Sequence, residues 1–295
     1  RDVQDILREV EELKRVSPGT QMVFDQSDIH GVDLKWLREF AKEFPKSGLG
    51  YHALLRFEYA DPTKDHSRER IDLMKQAGCT GITFAIESGV PEIRSEVLGR
   101  KMNEEVMFRT FEHLNNLGFK VRTQQMLGIP AGATTNQTPI NLDADLETLE
   151  LNVRLRQETG LPTMAWASIY TPFLGTATGD YCNAHDFYSG NNDDIHPDFF
   201  TRSVLRFPRQ WAGPELTAQT PDAWLSEEGQ EEYRDQLQML RDLFTDCARH
   251  KNGAVFAKDL IKREIKAGAD PSKYAAQSAA LRKHLYDNEL YCIAD

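Results

Sequence analysis

Cysteine is scarce in this chain. Cys79, Cys182, Cys247 and Cys292 are scattered over 295 residues, and no two stand at the C-x2-C spacing of a metal or redox pair. A chain of this length needs no disulfide to fold, so reduced thiols in a cytoplasmic protein are the expectation. Long apolar runs are missing too. None approaches the roughly 20 residues needed to cross a bilayer, so no membrane partner is expected. Positive charge is in deficit: 35 basic against 46 acidic residues leave a net charge of −11, which argues against broad, non-specific nucleic-acid binding. Arg1-Asp2-Val3-Gln4-Asp5 carries neither an initiating methionine nor a signal-peptide pattern. Because the sequence opens directly on a helical pattern, it is read as a piece of a longer protein. No solenoid-type repeat is visible.

What is present is an ordinary globular composition, 40% hydrophobic and 27% charged, long enough for one large domain or two smaller ones. Val3, Ile6, Leu7, Val10 and Leu13 recur at helical spacing over Asp2 to Val16. Helices are likewise predicted over Asp33 to Phe44, Arg68 to Gln76, Pro91 to Leu98, Glu104 to Leu117 and Leu142 to Thr159, with Asp33 and Asn103 as N-caps. Between them lie five strand candidates: Thr20 to Phe24, Leu49 to Tyr59, the run from Gly78 that ends in Glu87-Ser88-Gly89, Phe119 to Leu127 and Met164 to Tyr170. Strict alternation of strand and helix implies parallel strands joined by right-handed crossovers. After Thr176 the pattern changes. Tyr181 to Pro197 reads as loop, Thr201 to Pro214 mixes aromatic and basic residues, and helices are predicted over Pro221 to Lys251, Ala254 to Ala267 and Pro271 to Tyr286. The expected division is therefore a strand–helix region over 1–180 and a mainly helical region over 181–295.

In parallel α/β architectures, ligands sit at the carboxyl ends of the strands. That rim would gather Asp25, Arg56, Glu87 with Ser88, Gln124, Gly128 and Tyr170. The bland reading of Glu87-Ser88-Gly89 is a helix cap beside a solvated charge. Asp25 to His30 offers two carboxylates and an imidazole, and His52 is expected to point into the barrel. The loop holding His185, Asp186, His196 and Asp198 is read as solvated, and Phe199 to Trp211, with its arginines, as a docking segment.

Five segments in order resemble the radical S-adenosylmethionine (radical SAM) superfamily, in its Elongator/MiaB/NifB-like and cobalamin-associated branch. They are Asp72 to Cys79, Phe84-Ala85-Ile86-Glu87-Ser88-Gly89 with Val97-Leu98-Gly99-Arg100-Lys101, Leu117 to Val121, Met126-Leu127-Gly128-Ile129-Pro130, and Tyr170 to Thr176. Each is weak alone; their order makes them specific. The resemblance covers Asp2 to Gly179 and implies a partial TIM-type (β/α) barrel that binds SAM. Glu87 or Asp25 would meet its ammonium, Arg100 its carboxylate, Gln124 its ribose, and Gly128 with Pro130 its adenine, while Ser88 would add a hydrogen bond to the amino-acid end. The implied activity is reductive SAM cleavage and radical chemistry, with methyl or methylthio transfer among the outcomes. The substrate would be a small molecule, RNA or peptide, and the reductant a flavodoxin or ferredoxin.

One departure is decisive. The superfamily holds a [4Fe–4S] cluster on a C-x3-C-x2-C loop, and nothing here has that spacing. The cluster ligands are expected upstream of Arg1, with cobalamin as the further cofactor of this branch. Gly132 and Leu174 are smaller departures, where relatives often carry glutamate and proline. Two other readings stand beside this one: a cluster-free SAM-binding or regulatory homologue, and an unrelated barrel enzyme using Asp25, His52 and Glu87 for acid–base work.

Overall fold

The computed structural model describes residues 1–130, 142–195, 202–207 and 226–265. Helix α1 (Val3–Val16) begins where the Asp2 carboxylate accepts the Asp5 amide. It leads into β1 (Met22–Phe24), α2 (Leu34–Glu43), β2 (Gly50–Leu55), α3 (Asp65–Gln76), β3 (Cys79–Glu87), α4 (Glu104–Asn116), β4 (Lys120–Leu127), α5 (Asp143–Thr159) and β5 (Met164–Ile169). Asp33 and Asn103 cap α2 and α4 through the amides of Lys35 and Glu105, as their side chains predict. The five strands form one parallel sheet in sequence order, β1-β2-β3-β4-β5. This is the expected α/β partial TIM-type barrel, a half-barrel with helices on its convex side.

Alternation along each strand decides the two faces. Ile82, Phe84 and Ile86 of β3 and Tyr51 and Ala53 of β2 are buried with Leu37, Phe40 and Phe44 of the helical layer. The Phe40, Phe44 and Tyr51 rings interlock at centroid distances of 4.6–5.4 Å, a geometry worth roughly 0.5–1.5 kcal/mol per pair beyond area burial. Beneath α5, Thr123 donates to Asn152 Oδ1 (2.6 Å), and Asn152 Nδ2 donates to Gln125 Oε1 (3.2 Å).

Three segments differ from expectation. Pro91 to Leu98 does not form a regular α-helix; it widens into a π turn over Ile93–Val97. Part of the predicted loop is helix α6 (Ala177–Ala184), started by Thr176 Oγ1 accepting the Gly179 amide. The strand predicted to Tyr59 stops at Leu55 and passes into a 3-10 turn over Phe57–Tyr59. The tail supplies α7 (Glu227–Cys247) and α8 (Gly253–Glu264). Helix α7 lies against β5: Leu237, Leu240 and Phe244 share a core with Leu127, Leu149 and Ala167, and Thr245 donates to the Ala165 carbonyl (2.7 Å). The two predicted regions thus share one apolar core. The helix predicted over Pro271 to Tyr286, Gly132, and the segments around His196 and Trp211 lie outside the described residues. No helix among the described residues is long and apolar enough to cross a membrane.

Candidate functional site

The concave face of the sheet holds a cavity of about 640 Å3. Its walls are Leu54, Leu55 and Arg56 at the end of β2, Thr83 and Ala85 of β3, Gln124 of β4, the loop Gly99-Arg100-Lys101-Met102, and Asp28 and Glu58. Beneath it, Thr83 Oγ1 accepts from Arg122 Nε (3.1 Å) and lies 2.6 Å from His52 Nε2. The Phe24 ring stacks on His52 at 4.5 Å, and the Arg122 guanidinium lies over the Phe24 ring at 5.2 Å. Burial first, then the nearby Arg122 charge, push His52 down to about 3, so at neutral pH it is an uncharged imidazole on the concave floor.

Glu87 ends β3 beside this cavity. The β3–β4 register shifts between Ala85 and Glu87, and such a bulge re-aims the side chain that follows it. Glu87 adopts φ of +69°, a left-handed conformation costing a non-glycine residue roughly 1–2 kcal/mol. Its carboxylate is 14% exposed and meets Arg100 Nη2 at 3.2 Å. Burial raises its pKa, opposed by the Arg100 and then the Arg56 charges. The turn behind it is held firmly. The Gly89 amide donates to Thr148 Oγ1 (2.7 Å), and a Cβ on Gly89 would lie 2.5 Å from the α5 backbone at Glu147 and Thr148. Only glycine allows that approach.

The other sequence-predicted residues divide. Arg56, Arg100 and Gln124 line the same cavity. Asp25 lines a neighbouring cavity of about 850 Å3 with His30, Trp36 and Tyr51. There its carboxylate meets His30 Nδ1 at 2.5 Å and accepts from the Ser27 amide and hydroxyl (2.9 and 2.8 Å), while His30 Nε2 lies 3.3 Å from the Tyr51 hydroxyl. Burial acts to raise the Asp25 pKa, but these hydrogen bonds outweigh it and hold the group at about 2. Ser88 is buried, and its hydroxyl accepts the Val90 amide (3.2 Å) in a local turn. Gly128 (φ +75°) gives its amide to Asp145 Oδ1 (2.8 Å), and a Cβ there would lie 2.9 Å from Leu237 of α7. Pro130 is buried beside it. Tyr170 packs into the core shared with α7, away from the cavity walls.

Asp25, His52 and Glu87 do not form a shared acid–base group. Each is committed to a different partner: His30, Thr83 and Arg100. Among the described residues no three His, Cys, Asp or Glu side chains are placed to hold a metal ion, and Cys79, Cys182 and Cys247 are buried. Thr83, Lys101 and Met102 are cavity residues that the sequence reading does not single out, and Arg122 lies beneath the cavity, bonded to Thr83. For Thr83 and Arg122 the signal was available, since polar residues at alternate positions of otherwise apolar strands mark the open face.

No family model matches the chain. It is 24% identical over 221 residues to cytidylyl-2-hydroxyethylphosphonate methyltransferase of Streptomyces wedmorensis, a match taking in 73% of this chain. The chain spans 38% of that relative's length. Among solved structures, it is similar to the radical SAM enzyme coproporphyrinogen III oxidase of Escherichia coli (TM-score 0.44, 12% identity, 60% of this chain and 40% of that one). It is also similar to the radical SAM methyltransferase TsrM of Kitasatospora setae with cobalamin and a [4Fe–4S] cluster bound (TM-score 0.48, 14% identity, 88% of this chain and 56% of that one).

Proposed function

We propose that this chain supplies the SAM-binding wall of a radical SAM enzyme, of a kind that transfers a methyl or methylthio group. The observation that carries the proposal is the half-buried Glu87–Arg100 pair, whose Arg100 lines the concave cavity. An α-amino-acid zwitterion is the complement of such a pair: its ammonium suits Glu87, and its carboxylate suits the Arg100 guanidinium. The cavity volume falls within the range of about 300–1,000 Å3 usual for small-molecule sites. Gln124 stands on the cavity wall as the ribose partner, and Arg56 adds positive charge beside Glu87. Leu237 occupies the side-chain space over Gly128, so an adenine contact through that glycine is left out. When bound, SAM supplies an electrophilic methyl group on its sulfonium. The described residues offer no ligand set for an iron–sulfur cluster. The methyltransferase reading draws on the 24% identity to the Streptomyces protein.

Isothermal titration of SAM into the 295-residue chain tests this directly. Glu87→Gln and Arg100→Ala are each expected to weaken binding tenfold or more with the far-ultraviolet circular dichroism unchanged. Unaltered affinity in both variants refutes the pocket.

A further inference from the structure

We infer that Arg94 is a positioning residue that presets the Glu87–Arg100 pair, an inference that rests on the SAM-binding reading above. Arg94 lies in the π turn between the two members of the pair and is 1% exposed. Burying a guanidinium this completely is costly unless its donors are used. Here they are used only in part. Nη1 donates to the Ser88 carbonyl (2.7 Å), Nη2 stands 3.6 Å from Glu104 Oε1, and Nε has no partner. Burial lowers its pKa, opposed by Glu104. A fully paired salt bridge would be an ordinary stabilising feature. An under-satisfied buried arginine needs another reason to be there.

That reason is its position. The Arg94 guanidinium holds the carbonyl of Ser88, the residue directly after the left-handed Glu87. Its own carbonyl accepts the Arg100 amide at 2.6 Å. One residue therefore grips the backbone beside the acid with its side chain and the backbone of the base with its main chain. Backbone strain of the Glu87 kind persists only where the surroundings over-determine it. Gly89, pinned against α5, fixes the turn from one side, and Arg94 fixes it from the other. Glu104 also meets Arg154 Nη1 (3.2 Å) of α5, so Arg94 is itself anchored to the α4–α5 layer.

The test uses Arg94→Lys, whose single ammonium can reach Ser88 or Glu104 but not both, and the double variant with Glu87→Gln. Two readouts are taken. Hydrogen exchange at the Gly89, Val90 and Arg100 amides is expected to accelerate at least tenfold in Arg94→Lys, while the amides of β4 keep their protection. SAM affinity is expected to fall about tenfold in the wild-type background and to change less than twofold in the Glu87→Gln background, because a residue acting through Glu87 has nothing to position once that carboxylate is gone. Exchange unchanged at all three amides, or an affinity loss that adds fully to that of Glu87→Gln, overturns the inference. If the wild-type chain binds no SAM, the proposed function fails, and the exchange measurement alone then decides the role of Arg94. Should Arg94→Lys fail to fold, Glu104→Gln, which removes the anchor of Arg94, is expected to give the same exchange pattern at reduced size.

Discussion

Replacing Glu87 by glycine should give a more stable protein than replacing it by alanine, against the usual order. Both substitutions delete the carboxylate and its contact with Arg100, so that loss cancels in the comparison. What remains is backbone. In regular strand conformation glycine is roughly 0.5–1 kcal/mol worse than alanine, because it loses more freedom on folding. At φ of +69° the balance reverses: an alanine Cβ meets the following carbonyl at a cost of about 1–2 kcal/mol, which glycine avoids. At the middle of those two ranges, the difference leaves Glu87→Gly ahead by about 0.5–1 kcal/mol. For a chain of this size one kcal/mol corresponds to roughly 2–4 °C in Tm, so the glycine variant should melt about 1–4 °C above the alanine variant in differential scanning calorimetry. Both should lose SAM binding alike. An alanine variant that melts at or above the glycine variant would show that the turn relaxes without cost, and the argument that Glu87 is held under strain would fall.

Asn152→Ala strands Gln125 Oε1 and the Thr123 hydroxyl beneath α5; urea unfolding should show a loss of about 1–3 kcal/mol, the cost of unpaired buried polar groups. Asp145 is buried, and burial, only partly opposed by the Gly128 amide, raises its pKa from 3.8 to about 7. The folded state thus holds a proton that the unfolded state releases, so this residue costs stability progressively as pH rises from about 4 to 7. Asp145→Asn, which keeps an acceptor for Gly128, should gain more Tm at pH 8 than at pH 4, and an equal gain at both counts against that assignment. His52, lowered from 6.5 to about 3, has the opposite consequence. The unfolded chain takes up a proton that the folded chain refuses, so stability is lost as pH falls from 6.5 towards 3. In His52→Gln, the slope of denaturation free energy against pH over that interval should flatten; an unchanged slope would place the acid sensitivity elsewhere.

Much of the fold was legible because the evidence for it is local. The caps at Asp33 and Asn103, the apolar alternation of Ile82, Phe84 and Ile86, and the glycine-ended helices each depend on neighbours in the chain. The misread segments are those where tertiary contacts decide. Pro91 to Leu98 has helical spacing, yet beside the buried Arg94, whose carbonyl takes the Arg100 amide, it widens into a π turn. Tyr181 to Ala184 looks like loop, yet Cys182 is fully buried in the core shared with α7, and the segment joins a capped helix. Gly128 with Pro130 reads as an open approach for a ligand because the glycine has no side chain to obstruct it. Leu237, more than a hundred positions away, fills that space.

By itself the sequence determined the order of strands and helices, their parallel sense and the rim on which polar residues would collect, since periodicity and turn chemistry act over a few residues. Only the tertiary structure decided which rim residues meet. It placed Glu87 against Arg100 beside one cavity and Asp25 against His30 in another, turned the Ser88 hydroxyl to the Val90 amide and gave Tyr170 to packing. The physical reason is that a strand end fixes where a side chain starts. The bulge before Glu87, the backbone of α5 behind Gly89 and the seating of α7 on β5 fix where it points.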